Sequence, residues 1–176
     1  MMEVFKAPEK YPSDSKFTIF LAGTIEMGKS IDWQKDITEL LKDQDIRILN
    51  PRRDEFKVWE QQSINNPYFE EQVNWELDGL ERADLIIMNL IEDSLSPISM
   101  MEIAYFIKEK PMIICVPDGF WRKGNIEILG DRNKKNCLIV NEYEEFTKQI
   151  KKSLDFYREK SKNDLSVFKA RVSSIW

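Results

Sequence analysis

The 176-residue chain contains no histidine. Every mechanism built on an imidazole base is therefore excluded, and a zinc site is disfavoured, so proton transfer falls to Asp, Glu, Tyr, Lys or water. Cysteine is scarce. Cys115 and Cys137 each sit inside an apolar run (Ile-Ile-Cys-Val and Cys-Leu-Ile-Val) and are expected as buried, reduced, structural thiols. No apolar run approaches the length of a membrane span, and the first ten residues lack the apolar core of a secretion signal. The expected compartment is the cytoplasm. Basic residues are in the minority: the net charge is −5, which argues against a nucleic-acid polymer as partner.

What is present is ordinary for a globular domain, with 42% hydrophobic and 32% charged residues. Short apolar strands are expected at 17–22, 46–49, within 83–91, at 111–116 and at 137–140. Helical patterns at 31–43, 68–82 and 95–107 and from 143 to about 160 alternate with them. On the second helix the stripe Phe69, Val73, Leu77 and Leu80 is expected to face inward. Residues 1–16 read as a loose lead-in, 17–160 as the domain, and 161–176 as a helical tail. Segment 117–135 reads as loop with a short helix near 126–129. Strands alternating with helices predict an α/β fold, a flavodoxin-like doubly wound five-stranded parallel sheet with helices on both faces. In such sheets ligands sit at the carboxyl ends of the strands.

The stretch 95–107 carries the sharpest chemical signal. Ser96 suits a helix N-cap and Pro97 the first helical position. The helix beyond is apolar on every side, which predicts burial. Glu102 is its only charge. A buried carboxylate is costly unless it is paired or used. It is either a core glutamate satisfied by an arginine or a nucleophile at a pocket rim, kept ionised by the helix dipole.

Gly23-Thr-Ile-Glu-Met-Gly-Lys-Ser30 matches the phosphate-binding pattern G-x-x-x-x-G-K-[ST] between a strand and a helix. A P-loop nucleotide kinase or NTPase using Gly28, Lys29 and Ser30 is therefore an alternative, as is a catalytically silent nucleotide-binding module. Glu26 would repel phosphates inside that loop. The Walker-B-like stretch 85–93 has Asn89 inside its apolar run, with its acids only at Glu92 and Asp93.

Several ordered pieces resemble the nucleoside 2-deoxyribosyltransferase superfamily, in particular its deoxyribosyltransferase-like branch. They are Phe20-Leu-Ala-Gly-Thr-Ile25, Asp32-Trp33-Gln34, Asn50-Pro-Arg-Arg53, Asp78-Gly-Leu-Glu-Arg-Ala-Asp84, Ser96-Pro-Ile-Ser-Met-Met-Glu-Ile-Ala-Tyr105 and Phe120-Trp-Arg-Lys-Gly-Asn125. The resemblance implies cleavage or transfer at an N-glycosidic bond, with no cofactor. Glu102 matches the family's nucleophile, which forms a glycosyl-enzyme intermediate, and Asp78 matches an acid that helps protonate the leaving base. Gly23, Thr24, Ile25, Arg52, Ser96, Ser99 and Asn125 are the implied substrate contacts, and Trp59 and Tyr68 are candidates to stack on a base. Ser96 stands where free-nucleoside enzymes carry Asp, and matches the branch acting on nucleoside 5′-monophosphates. The implied partners are a small-molecule nucleoside or nucleotide and further copies of the chain, with no membrane.

Overall fold

The computed structural model describes residues 1–28, 30–53, 62–156 and 158. The readings of Lys29, Trp59 and the tail 161–176 lie outside these residues.

Six strands form one parallel sheet: β1 (Glu3–Lys6), β2 (Thr18–Gly23), β3 (Arg47–Asn50), β4 (Leu85–Asn89), β5 (Met112–Cys115) and β6 (Cys137–Val140), in the order β1-β3-β2-β4-β5-β6. Five of them reproduce the flavodoxin-like order. The sixth corrects the five-strand expectation: Glu3–Lys6, read as loose lead-in, pairs with β3 in the register Val4↔Ile48. Its sequence, Glu-Val-Phe-Lys, is too short and too charged to announce a strand. What holds it is Arg47, fully buried at the start of β3. The Arg47 guanidinium donates to Glu3 at 2.9 Å, to Asp14 at 2.9 Å and to the carbonyl of Pro12 at 3.0 Å. A buried cation demands such partners, and here they all come from the first sixteen residues. The same guanidinium holds the Asp14 carboxyl down at about 2.

Helices α1 (Trp33–Leu40) and α5 (143–156) cover one face of the sheet, meeting Ile19, Leu21, Ile48, Ile87 and Ile113. Helices α2 (Pro67–Arg82), α3 (Pro97–Phe106) and α4 (Lys123–Arg132) cover the other, over Phe20, Leu49, Ile86, Met88 and Ile114. Central strands with apolar side chains on both faces are what parallel sheets require. No helix among the described residues is long and apolar enough to cross a membrane. Cys115 and Cys137 are free and buried, and burial pushes their thiols up to about 11 and about 12.

Three local expectations are corrected. Residues 123–132, read as mostly loop, form a ten-residue helix. Its two glycines hid it, yet Gly130 is needed: a Cβ there would stand 2.2 Å from Ile139. On α2 the inward residues are Gln72, Trp75, Gly79 and Leu80, whereas Leu77 is exposed. Gly79 sets that rotation, because the Phe20 ring occupies the space of its missing side chain. Finally, α3 is not buried all round: Ser99, Ile103 and Phe106 are buried, but Ile98, Met101 and Tyr105 face solvent.

Candidate active site

The chain runs from β2 outward to β3, then crosses back to β4. That reversal opens a crevice at the carboxyl ends of β2 and β4, where doubly wound sheets bind ligands. The crevice is built tightly. Gly23 ends β2 with φ +130°, and a Cβ on it would stand 2.2 Å from the carbonyl oxygen of Asn89 in β4. Only glycine lets the two strand ends come this close. The N–H of Thr24 then donates to that same Asn89 oxygen at 2.9 Å.

Three hydroxyls meet beyond the strands. Thr24 Oγ1 lies 2.7 Å from Ser96 Oγ and 3.0 Å from Ser94 Oγ, and the two serine oxygens are 2.8 Å apart. Thr24 Oγ1 also accepts from the N–H of Ile91, and Ser94 donates to the carbonyl of Ile91. Each hydroxyl has one hydrogen. Ser94 directs its own at Ile91, so the short contact between the two serines is a hydrogen bond only if Ser96 donates to Ser94, and Thr24 then donates to Ser96.

Ser96 does not cap α3 through its side chain, contrary to the sequence expectation. Its backbone is left-handed, with φ 41° and ψ 48°, and its hydroxyl turns toward Thr24 instead. The first turn of α3 therefore starts without a side-chain cap. A left-handed non-glycine residue costs on the order of 1–3 kcal/mol, and such strain concentrates at functional sites.

Along α3, Ser99 and Glu102 stand one turn apart on the same side. Glu102 follows Ser96 by six residues, about 9 Å of helix rise, and its side chain leans back toward the N-terminus.

The partner of Glu102 is Glu76, from the inward face of α2. Gln72 donates to the Glu76 carboxylate at 2.6 Å and to the carbonyl of Pro51 at 2.9 Å, and accepts from Arg53 Nε. Burial pushes the Glu76 carboxyl up to about 7, against the Gln72 hydrogen bond and the nearby Arg53 charge. Burial, then the Glu76 charge, pushes Glu102 up to about 8. The expected ionisation of Glu102 by the helix dipole is thus overridden, because Glu102 lies past the first turn where that field is strong. With burial raising both carboxyls and the Glu76 charge acting on Glu102, the two are not both ionised near neutral pH.

The other residues singled out in the sequence fall as follows. Asp78 lies two residues beyond Glu76, some 200° around the helix. It is exposed in an open groove with Lys10, Tyr11, Ser13, Trp75 and Arg82, where its charge acts on Tyr11 rather than on Glu102. Arg52 donates to the carbonyls of Gly28, Ser30 and Ile31 at 2.9–3.3 Å. It fastens the loop after Ile25 in place. Asn125 is exposed on the first turn of α4, and Tyr68 is exposed at the start of α2. Glu76 was missed by the sequence reading because it is one of five acids in its segment. The spacing Gln72–Glu76–Gly79, an amide, an acid and a glycine on one helical side, is the signal that marks it.

The phosphate-loop pattern does not fold as one. In a P-loop the helix begins within the motif, but α1 begins at Trp33, capped by Asp32, whose side chain accepts from the Lys35 N–H. The Ser30 hydroxyl points back into the loop and donates to the carbonyl of Ile25 at 2.9 Å.

Comparison with known proteins agrees with this architecture. A solved structure of a conserved protein from Enterococcus faecalis V583 superposes with a TM-score of 0.57 at 14% identity, covering 78% of this chain and 98% of that one. It shares the fold. No curated protein matches the chain. The family model described as "Nucleoside 2-deoxyribosyltransferase like" matches residues 16–120, a span that includes Thr24, Glu76, Ser96 and Glu102 and ends before Asn125. The match extends over more than half of the 176 residues, and the chain belongs to the nucleoside 2-deoxyribosyltransferase-like family.

Proposed function

We propose that the chain cleaves or transfers at the N-glycosidic bond of a (deoxy)nucleoside or its 5′-monophosphate, with Glu102 as nucleophile. The observation that carries this reading is the raised carboxyl pair Glu76–Glu102, with Glu102 on the helix whose start has no side-chain cap and a cluster of hydroxyls beside it. Such a pair supplies both roles the reaction needs, since one group stays protonated while the other ionises. A Glu102 carboxylate oxygen bonds to C1′ as the bond to the base nitrogen breaks. The bonding electron pair leaves with the base, which takes up the proton held by Glu76. Positive charge developing on the sugar favours the form in which Glu102 is ionised and Glu76 carries the proton. The glycosyl ester is then opened at C1′ by water, which gives hydrolysis, or by a second base, which gives transfer. Glu76 takes the acceptor's proton and Glu102 is regenerated. Asp78, exposed on another side of α2, has no part in these steps.

The rate should follow a bell in pH, with limbs set by the pair near 7 and 8. At low pH both groups are protonated and there is no nucleophile. At high pH both are ionised and there is no acid. Glu76→Gln should flatten the alkaline limb, because no neighbouring acid is left to ionise, and leave an acid limb set by Glu102 alone. An unchanged pH–rate profile would assign the proton to another group.

Recognition of a 5′-phosphate is assigned to Ser96 and the first turn of α3, where an anion meets N–H groups and the positive end of the helix. Binding energy from this non-reacting group would place C1′ over Glu102. Ser96→Ala should raise KM for a monophosphate roughly 5- to 30-fold more than for the matching nucleoside, the scale of one hydrogen bond to a charged group. Ser96→Asp should shift preference toward nucleosides by repelling phosphate. Equal cleavage of both substrate classes by the parent, with a ratio unmoved by Ser96→Asp, would remove phosphate recognition from this residue.

The reading is tested by incubating the protein with a panel of nucleosides and 5′-monophosphates and chromatographing for released base. Release abolished by Glu102→Gln supports it. Binding of these ligands without base release would support the silent module instead.

A further inference from the structure

Gln72 is buried on the inward side of α2, one turn before Glu76. Its amide nitrogen has two hydrogens, and both are used. One is donated to the carbonyl of Pro51 at 2.9 Å, the other to Glu76 Oε1 at 2.6 Å. Its amide oxygen accepts from Arg53 Nε, and Arg53 is itself paired with Glu71 at 3.6 Å. The amide cannot turn over. Reversed, it would set its oxygen against the Pro51 carbonyl and its N–H groups against the Arg53 N–H. The consequence falls on Glu76. An amide N–H only donates, so Glu76 Oε1 is an acceptor in both protonation states. In the neutral carboxyl the carbonyl oxygen is the better acceptor, so Oε1 is the carbonyl and the proton sits on Oε2. Among the described residues no second hydrogen bond reaches Glu76, which leaves Oε2 open to a reacting group.

We propose that Gln72 is a positioning residue for the proton transfer: it keeps the Glu76 proton on Oε2, where a leaving base can take it, and it holds the carboxylate that remains. This role rests on the N-glycosidic reading of Glu76 and Glu102. In the step the O–H bond at Oε2 breaks, the proton passes to the base nitrogen, and the electron pair stays on Glu76. The Gln72 N–H and the Arg53 charge then meet the new negative charge. A hydrogen bond donated to a carboxylate is stronger than the same bond donated to a neutral carboxyl, so Gln72 favours the state after transfer. When the acceptor arrives, the same bond returns the proton to Oε2. The groups that act on Glu76 are Gln72 on its own helix and Arg53 from the segment after β3, which both oppose the rise caused by burial. On α3 stands Glu102, whose own rise is increased by the Glu76 charge.

Gln72→Met keeps the length of the side chain and removes its N–H groups. In the full chain the titration of Glu76 should then move up by roughly 1–2 pH units, the scale of one hydrogen bond to a charged group. It is followed by infrared spectroscopy of the protonated carboxyl stretch, assigned by its loss in Glu76→Gln. The alkaline limb of the rate should move up by the same amount. At its maximum kcat should fall roughly 10-fold, a part of what a general acid contributes, while KM changes less than ~3-fold. A residue that only ties α2 to the end of β3 would lower Tm and leave both the titration and the limb where they were, and that result overturns the proposal. Should Gln72→Met not fold, Arg53→Met removes the donor that orients the amide and should move the same titration upward by a smaller amount; no movement there overturns the proposal as well. The two claims fail separately. Base release that survives Glu102→Gln overturns the reaction, whereas a Glu76 titration unmoved by Gln72→Met overturns the role of Gln72.

Discussion

Glu102→Gln is expected to lower the rate of base release by about 10⁴-fold or more and, in the same protein, to raise the melting temperature. The first effect follows from removing the atom that bonds to C1′; loss of a catalytic nucleophile typically costs that much or more. The second follows from the raised carboxyl. The folded-state value near 8 lies above the ordinary carboxyl value of 4.5. Between those two values the folded chain holds a proton that the unfolded chain has released. Stability therefore falls as pH rises through that window. An amide has no proton to lose, so the advantage of Glu102→Gln should be small at pH 5 and largest at pH 8, on the order of 1–3 kcal/mol. That is a few degrees in Tm or more for a domain of this size. Melting curves of parent and variant at the two pH values check it. A variant less stable than the parent at pH 8 would mean that Glu102 is a satisfied structural carboxylate.

Gly23→Ala is expected to be the most damaging single-methyl change near the site. At φ +130° a side chain is strained in any surroundings, and the added Cβ would stand 2.2 Å from Asn89 O and 2.8 Å from Asn89 N. Those are backbone atoms of the central strand β4, which cannot move aside without opening the β2–β4 pairing. A loss of roughly 3–5 kcal/mol is expected, the range reserved for backbone clashes and strained φ, or about 10 °C in Tm. Thr24 follows directly, so the hydroxyl cluster should be displaced and any residual folded protein should lose activity. A Tm within 2 °C of the parent would show that β2 and β4 do not close on each other as described.

How far the sequence could be read depended on which physical signal each part carries. Strands β2 to β6 were legible because each carries the short apolar run that a sheet covered on both faces requires, the edge strand β6 included. Strand β1 was not, since Glu3 and Lys6 bracket only two apolar residues, and its reason to pair lies in the buried Arg47 more than forty residues away. Glu102 stood out as one charge in an apolar helix. Glu76 could not stand out among Glu70, Glu71, Asp78 and Glu81. What selects it is the contact of Gly79 with Phe20, a tertiary fact that turns Gln72 and Glu76 inward and leaves Asp78 in water. Helix α3 misled in the opposite way. Apolar residues all round a helix predict burial only if every side has something to pack on, and here the sheet covers one side alone. The hydroxyl cluster shows a similar limit: Ser96 has the residue type of an N-cap, but Thr24, brought close by the glycine at position 23, offers its hydroxyl another partner.

The central claim is a covalent bond between Glu102 and the sugar. The most direct test uses a nucleoside and its 5′-monophosphate carrying fluorine at the 2′-arabino position. The fluorine withdraws electrons from the sugar, disfavours the oxocarbenium-like state and slows the opening of a glycosyl ester. After incubation and acid quench, the peptide containing Glu102 is examined by mass spectrometry. The account predicts a mass increase equal to the fluorinated sugar or sugar phosphate on Glu102, one equivalent of released base, and neither in Glu102→Gln. Released base with no adduct on Glu102, and undiminished release by Glu102→Gln, would contradict it.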